Sequence, residues 1–219
     1  MTTTSPRHTD RDLPLRERKK QRTRHALAAT ALALFTEKGF DTVSLDELCD
    51  EVEVSKRTFF RYFSSKESCA IAAEAELWQA GLEECARTPL DGPVLDALRT
   101  ALVTAITGMS DDWDRRFLTT RRLIGHTPAL RAHSLTIANN AQERFVTELE
   151  GRLGRDGREE PALRLVGEIA IGAYRVGAKN WAAGRGEGGR HGHGGRTVLA
   201  RRVGEAFGAV PNALRLTAD

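Results

Sequence analysis

Aromatic residues make up only 6% of this 219-residue chain, and no segment approaches the roughly 20 consecutive apolar residues that a membrane-spanning helix requires. Neither charge sign dominates: 33 lysines and arginines face 30 acids, leaving a net charge of +3. So slight an excess does not by itself identify an anionic partner, and where the charge sits matters more than its sum. The opening MTTTSPRHTDRD has no apolar run of signal-peptide length, so a cytoplasmic protein without a membrane partner is expected. Cys49, Cys69 and Cys85 are too few and too widely spaced, with no CxxC pair, for a disulfide framework or a zinc site, which leaves buried, inert thiols. No HExxH, no Ser/His/Asp order and no glycine-rich loop between a strand and a helix is present, so neither an enzyme nor a bound cofactor is expected.

What the sequence does have is helix punctuation. Leu27, Ala31, Leu34 and Phe35 recur at helical spacing, and Gly39 is placed to stop a helix running from about Leu15 to Lys38, with Phe40 making the accompanying apolar contact. Ser44 can cap a short second helix to about Val52, with Glu47 reaching back and Val43 stapling onto Leu48. Ser55 offers the next cap, and Ser64 with Glu67 forms a further capping box opening a long helix to about Arg87. Later helices are expected near Pro93–Thr107, Asp111–Gly125, Pro128–Leu153, Pro161–Ala183 and Thr197–Phe207, with Pro128 and Pro161 near helix starts, where a missing N–H costs nothing. No segment reads as a strand.

The scarce aromatics are concentrated in VSKRTFFRYF, residues 54–63, interleaved with cations. On a helix, Phe59 and Phe63 point with Val54 into a small core, while Lys56, Arg57, Phe60 and Arg61 project the other way. A short cationic helix behind a tight break suits insertion into the DNA major groove. Ser44, Ser55 and Ser64 lie at helix N-termini that favour phosphate, Thr58 and Tyr62 lie on the same short helix as the cations, and Lys66 opens the following one. The run RERKKQRTR supplies Arg16, Arg18, Lys19, Lys20, Arg22 and Arg24 as clamps on the DNA backbone.

The ordered set Thr23-Arg24, Ala28-Ala29, Leu34-Phe35, Glu37, Gly39-Phe40, Ser44, Leu48, Val54-Ser55, Thr58, Tyr62-Phe63 and Lys66-Glu67 resembles the N-terminal DNA-binding domain of TetR/AcrR-type bacterial transcriptional regulators, over roughly Arg16 to Ala70. That resemblance implies an all-α homodimer with a three-helix helix-turn-helix domain, a C-terminal helical domain for ligand binding and dimerisation, and a palindromic double-stranded operator. The implied layout is a flexible basic arm over 1–15, the helix-turn-helix domain over 16–68, the ligand-binding and dimerisation domain over 69–209 with a flexible glycine-rich loop at 184–196, and a tail over 210–219. Two positions depart from the family pattern. Glu53 stands where the turn usually has glycine, and Phe60 where the recognition helix usually has tyrosine.

In the C-terminal half the resemblance implies a small-molecule pocket, for which Trp78, Trp113, Phe117, Arg121, His126, Tyr174 and Trp181 are candidate walls, with Arg122 and His133 as further polar groups. Plain core packing explains the aromatics too. The small residues of GEIAIGAYRVGAKNWAAG, 167–184, together with Val198, Leu199, Val203 and Phe207, could form a four-helix dimer seam. His191 and His193, separated by a single glycine, are too few to hold a metal, so no metal is expected. The resulting expectation is a ligand-responsive repressor. A ligand-independent activator or architectural protein, and a metal sensor using the two histidines, are the alternatives.

Overall fold

A computed structural model describes residues 15–184 and 194–217, with the Glu17 and Arg18 side chains excepted. The expected arm, apart from Leu15, the Arg18 side chain, and most of the glycine-rich loop with His191 and His193 lie outside the described residues. Among those described, every regular element is a helix, as the punctuation implies: α1 (Leu15–Lys38), α2 (Leu45–Glu51), α3 (Lys56–Tyr62), α4 (Lys66–Ala70), α5 (Ala72–Arg87), α6 (Val94–Gly108), α7 (Trp113–His126), α8 (Pro128–Leu153), α9 (Pro161–Ala182), α10 (Gly195–Gly208) and α11 (Val210–Ala213). The chain divides into two compact units between Ala70 and Ile71.

In the first unit, α1 packs on α2 and α4, and α2 on α3. Leu27, Ala31, Phe35, Val43, Leu48, Phe59 and Phe63 are buried. α1 ends where Gly39 takes a left-handed φ of 88° and donates its N–H to the Phe35 carbonyl, and Phe40 lies edge-on to Phe35 with ring centroids 5.0 Å apart. Ser44 accepts the Glu47 N–H at 3.0 Å. Glu47 itself does not reach back to the cap as expected. Its carboxylate lies 2.6 Å from Lys38 Nζ, an opposite charge that a neutral backbone N–H does not match.

The start of α4 also differs from expectation. Ser65 and Ser68 cap each other reciprocally, each hydroxyl accepting the other's N–H at 3.0–3.1 Å, so the box sits one residue beyond Ser64 and closes with a serine in place of Glu67. The long helix then breaks at Ile71 (φ −106°, ψ 22°), although neither glycine nor proline marks the spot.

The second unit surrounds one apolar core built from α5 to α10, including Leu77, Leu102, Trp113, Phe117, Phe145, Tyr174, Trp181, Leu199 and Val203. Gly177 sets the approach of α9 to α10. A Cβ there would come within 2.6 Å of Val203 Cα and 2.8 Å of the Arg202 carbonyl, so only glycine lets the two backbones meet. The same approach buries part of α10 against α9 within the chain. Leu199, Val203 and Phe207 are buried within the chain, because the small-residue face of α9 is occupied by α10 itself. α9 also carries a second, outward stripe through Leu165, Ile169, Gly172 and Val176, in which Leu165 and Val176 are more than half exposed. The expected tail is helical at its start, where α11 carries Pro211 in its first turn.

Candidate nucleic-acid interface and buried polar cluster

The break between α2 and α3 is held by backbone. Val54 N–H donates to the Cys49 carbonyl at 2.9 Å, and Glu53 adopts φ 53°, the only positive φ among the described non-glycine residues. The residue that stands in place of glycine has therefore accepted the left-handed backbone, a strain of about 1–2 kcal/mol. Ser55 then caps α3 by accepting the Thr58 N–H at 3.1 Å, and the two side-chain hydroxyls lie 3.0 Å apart.

Phe59 is fully buried and fixes the rotation of α3. Lys56, Arg57, Phe60 and Arg61 are consequently exposed together on the opposite side. Phe60 keeps 53% of its surface exposed while its ring meets Phe59 edge-on at 5.5 Å. Arg57 has no partner among the described residues. Lys56 is tied to Asp46 at 2.6 Å, and that hydrogen bond and charge hold its ammonium above its ordinary pKa. Both partners are at least half exposed, so the pair is weak enough for a phosphate to displace. Arg61 donates to the Tyr62 hydroxyl at 3.3 Å. Burial pushes the Tyr62 phenol up, but hydrogen bonds from Arg61 and Thr23 outweigh it and bring the phenol below its usual value.

Two of the sequence-predicted cations are committed to the fold. Arg24 donates to the Tyr62 carbonyl at 2.8 Å with its guanidinium 4.5 Å over the Phe63 ring, fastening the end of α3 to α1. Lys66 Nζ donates to the carbonyls of Phe40 at 2.7 Å and Val43 at 2.8 Å, and lies 4.2 Å from the centre of the Phe40 ring. One of its three N–H groups remains for another acceptor. Arg16, Lys19 and Lys20 sit on the exposed first turns of α1.

The C-terminal candidates separate into two groups. Trp113 stacks on Phe117 at 4.6 Å and Phe117 on Trp181 at 5.9 Å, and both indoles are satisfied internally, by the Ala73 and Gly195 carbonyls. Trp78, Arg121 and Tyr174 gather instead around a residue that sequence reasoning missed, Glu74, which is 2% exposed. Ser134 donates to its carboxylate at 2.9 Å, Arg121 approaches to 3.7 Å without a hydrogen bond, and Trp78 meets Tyr174 edge-on at 4.5 Å.

Burial raises the Glu74 carboxyl above its usual range, against the opposing pull of Arg121, Ser134, Arg175 and the Trp78 indole. Burial, and then Glu74, likewise raise the Tyr174 phenol. The signal for Glu74 was available: an acid four residues before Trp78 and three before Leu77 falls on the apolar stripe of α5. His126 and Arg122 are exposed on α7 and His133 is half-buried on α8, so the exposed pair takes no part in the buried cluster.

The three cysteines are buried and free, as expected, with burial pushing the Cys69 thiol to about 12 and Cys85 to about 11. Among the described residues no three His, Cys, Asp or Glu side chains gather as a metal would require, and no helix is long and apolar enough to cross a membrane.

A short capped helix presenting cations behind a tight turn is what a helix-turn-helix reader of DNA requires. The family profile described as "Bacterial regulatory proteins, tetR family" matches residues 27–82, and that of the "MftR C-terminal domain" matches residues 92–192. The HTH-type transcriptional regulator TcmR of Streptomyces glaucescens is 31% identical over 185 residues, covering 82% of this chain and 81% of TcmR. The chain belongs to the TetR family of transcriptional regulators.

As a TetR-family protein it is also 28% identical over 165 residues to a Mycobacterium tuberculosis protein named for regulation of mycofactocin biosynthesis, MftR, covering 72% of this chain and 80% of MftR. A TetR-family regulator from Shewanella sp. PV-4, solved by crystallography, shares the fold with a TM-score of 0.50 at 17% identity, covering 87% of this chain and 97% of that one. The all-helical fold, the helix-turn-helix and DNA binding in transcription regulation thus stand on both the architecture and the relatives.

Proposed function

We propose that this TetR-family protein is a homodimeric, cytoplasmic repressor that occupies a palindromic operator and leaves it when a small molecule enters the unit beginning at Ile71. The observation that carries the reading is the α3 face, where Lys56, Arg57, Phe60 and Arg61 stand exposed together on a helix fixed by Phe59 and capped by Ser55. Arg57 and Lys56 read base edges, and Phe60 meets a thymine methyl where a hydroxyl would have sought an acceptor. Ser44, Ser55, Thr58 and Tyr62 hold phosphates, as do Arg16, Arg18, Lys19 and Lys20 and the remaining donors of Arg24, Arg61 and Lys66. The outward stripe of α9 pairs with its copy in a second subunit, which supplies the two-fold symmetry a palindrome requires. A ligand favouring the arrangement unable to place both α3 helices in successive major grooves releases the DNA.

Footprinting the purified protein on genomic fragments tests this. Two protected half-sites about 10 base pairs apart, or a multiple of that spacing, are expected. Uniform, sequence-independent protection would refute specific operator recognition.

A further inference from the structure

The cluster around Glu74 is wired unevenly. Four helices meet there: α5 contributes Glu74 and Trp78, α7 Arg121, α8 Ser134 and α9 Tyr174. The carboxylate already has the Ser134 hydroxyl and the Arg121 charge. Around it, Trp78 Nε1, Arg121 Nε and the Tyr174 hydroxyl are buried without any hydrogen-bond partner. The Trp78 indole is near enough to Glu74 to favour its charged form, yet lies outside hydrogen-bond geometry. Two of these groups are donors only, and the phenol can donate as well. Leaving such groups unmade inside a core is costly, so the cluster is short of acceptors and not of donors.

Charge narrows the choice further. The Arg121 cation is offset by a carboxylate 3.7 Å away, and the exposed Arg175 charge is screened by solvent, so an incoming anion meets Glu74 as a like charge and an incoming cation must displace Arg121. A neutral group with lone pairs meets neither obstacle. The faces beside the donors are aromatic, with Trp78 and Tyr174 edge to face, which suits a flat apolar body.

We infer that this cluster binds an uncharged aromatic ligand through a carbonyl or phenolic oxygen that accepts from Tyr174, Trp78 and Arg121. The inference rests on the proposed effector response and names the chemical class to which it answers.

The test uses four probes of one size on the full-length protein: 2-acetylnaphthalene (neutral acceptor), 2-ethylnaphthalene (no acceptor), 2-naphthoate (anion) and 2-naphthylmethylammonium (cation). Calorimetry should find the ketone bound at least tenfold more tightly than the hydrocarbon and than either ion. Tyr174→Phe, which keeps the ring and removes only the hydroxyl, should remove most of the ketone's advantage and leave 2-ethylnaphthalene affinity within twofold, which also reports that the variant remains folded. Equal binding of ketone and hydrocarbon, a preference for either ion, or no binding of any probe would overturn the inference. Operator binding, measured separately by anisotropy, distinguishes the two levels. Selective ketone binding that leaves the operator occupied refutes effector release and spares the ligand class, whereas operator binding intact with no ketone preference refutes only the ligand class.

Discussion

Lys66 was expected at the DNA backbone, and its surroundings give it a second task whose size can be worked out. Its ammonium donates to two carbonyls in the turn joining α1 to α2, at 2.7 and 2.8 Å, and lies over the Phe40 ring. Hydrogen bonds to a charged group contribute about 1.5–3 kcal/mol each, and a cation–π contact at a partly exposed site about 0.5–1 kcal/mol. Lys66 is only half-buried, so water can reach the freed carbonyls and recover much of this. Lys66→Met, which keeps most of the apolar stem, should then destabilise the N-terminal unit by about 2 kcal/mol.

The three tryptophans, Trp78, Trp113 and Trp181, all lie beyond Ile71. Urea unfolding followed by far-UV circular dichroism should therefore show an early transition that tryptophan fluorescence does not. Operator affinity, measured well below that transition, should fall by no more than the loss of one phosphate contact. Unchanged unfolding with a large loss of DNA binding would refute the structural assignment and leave Lys66 as a phosphate clamp alone.

Three further outcomes follow from the same geometry. Glu53→Gly relieves a left-handed backbone worth about 1–2 kcal/mol and returns about 0.5–1 kcal/mol in unfolded-chain entropy, so it should stabilise the N-terminal unit by roughly 0.5–1 kcal/mol, read as a higher urea midpoint in circular dichroism. Glu74→Gln tests the buried carboxyl. Its folded pKa is raised by burial, so ionisation destabilises the wild type above that raised value, and the effect is lost as pH falls into the ordinary carboxylate range. The glutamine variant should hence melt higher than wild type at neutral pH and converge with it near pH 4, and a gap that widens in acid would contradict the burial argument. Val176→Arg places a charge on the outward stripe of α9 and should weaken self-association by about 3 kcal/mol, more than 100-fold, in sedimentation equilibrium, with helicity unchanged.

The fold was legible wherever a local signal controlled the backbone. Gly39 stops α1 and Pro128 opens α8 because one residue's φ decides each outcome. Expectation and structure part where tertiary competition decides. Glu47 could cap or pair, and Lys38 won its carboxylate. Ile71 interrupts a helix with no local breaker. The close approach of α10 to α9 was not legible either, since it depends on Gly177 meeting the Val203 backbone across two helices. The exposed face of α3 could be read from the spacing of Phe59 and Phe63 alone. The commitment of Arg24 and Lys66 to backbone carbonyls could not, since neither the carbonyls nor their distance is written in side-chain identity. In the C-terminal unit the aromatics were found and Glu74 was missed, because attention to apolar periodicity passes over the one acid on the stripe.

The central claim is that α3 reads base sequence while the cations of α1 grip the backbone. A salt series on operator and random DNA, for wild type, Arg57→Ala and the Lys19→Ala/Lys20→Ala pair, measures both halves at once. Arg57→Ala should lower the ratio of operator to random affinity by about 1–3 kcal/mol, roughly 5- to 150-fold. The lysine pair should weaken both DNAs alike and flatten the slope of log affinity against log salt by up to about 2. An unchanged ratio in Arg57→Ala, or a lysine pair that alters sequence preference and leaves the slope untouched, would contradict it.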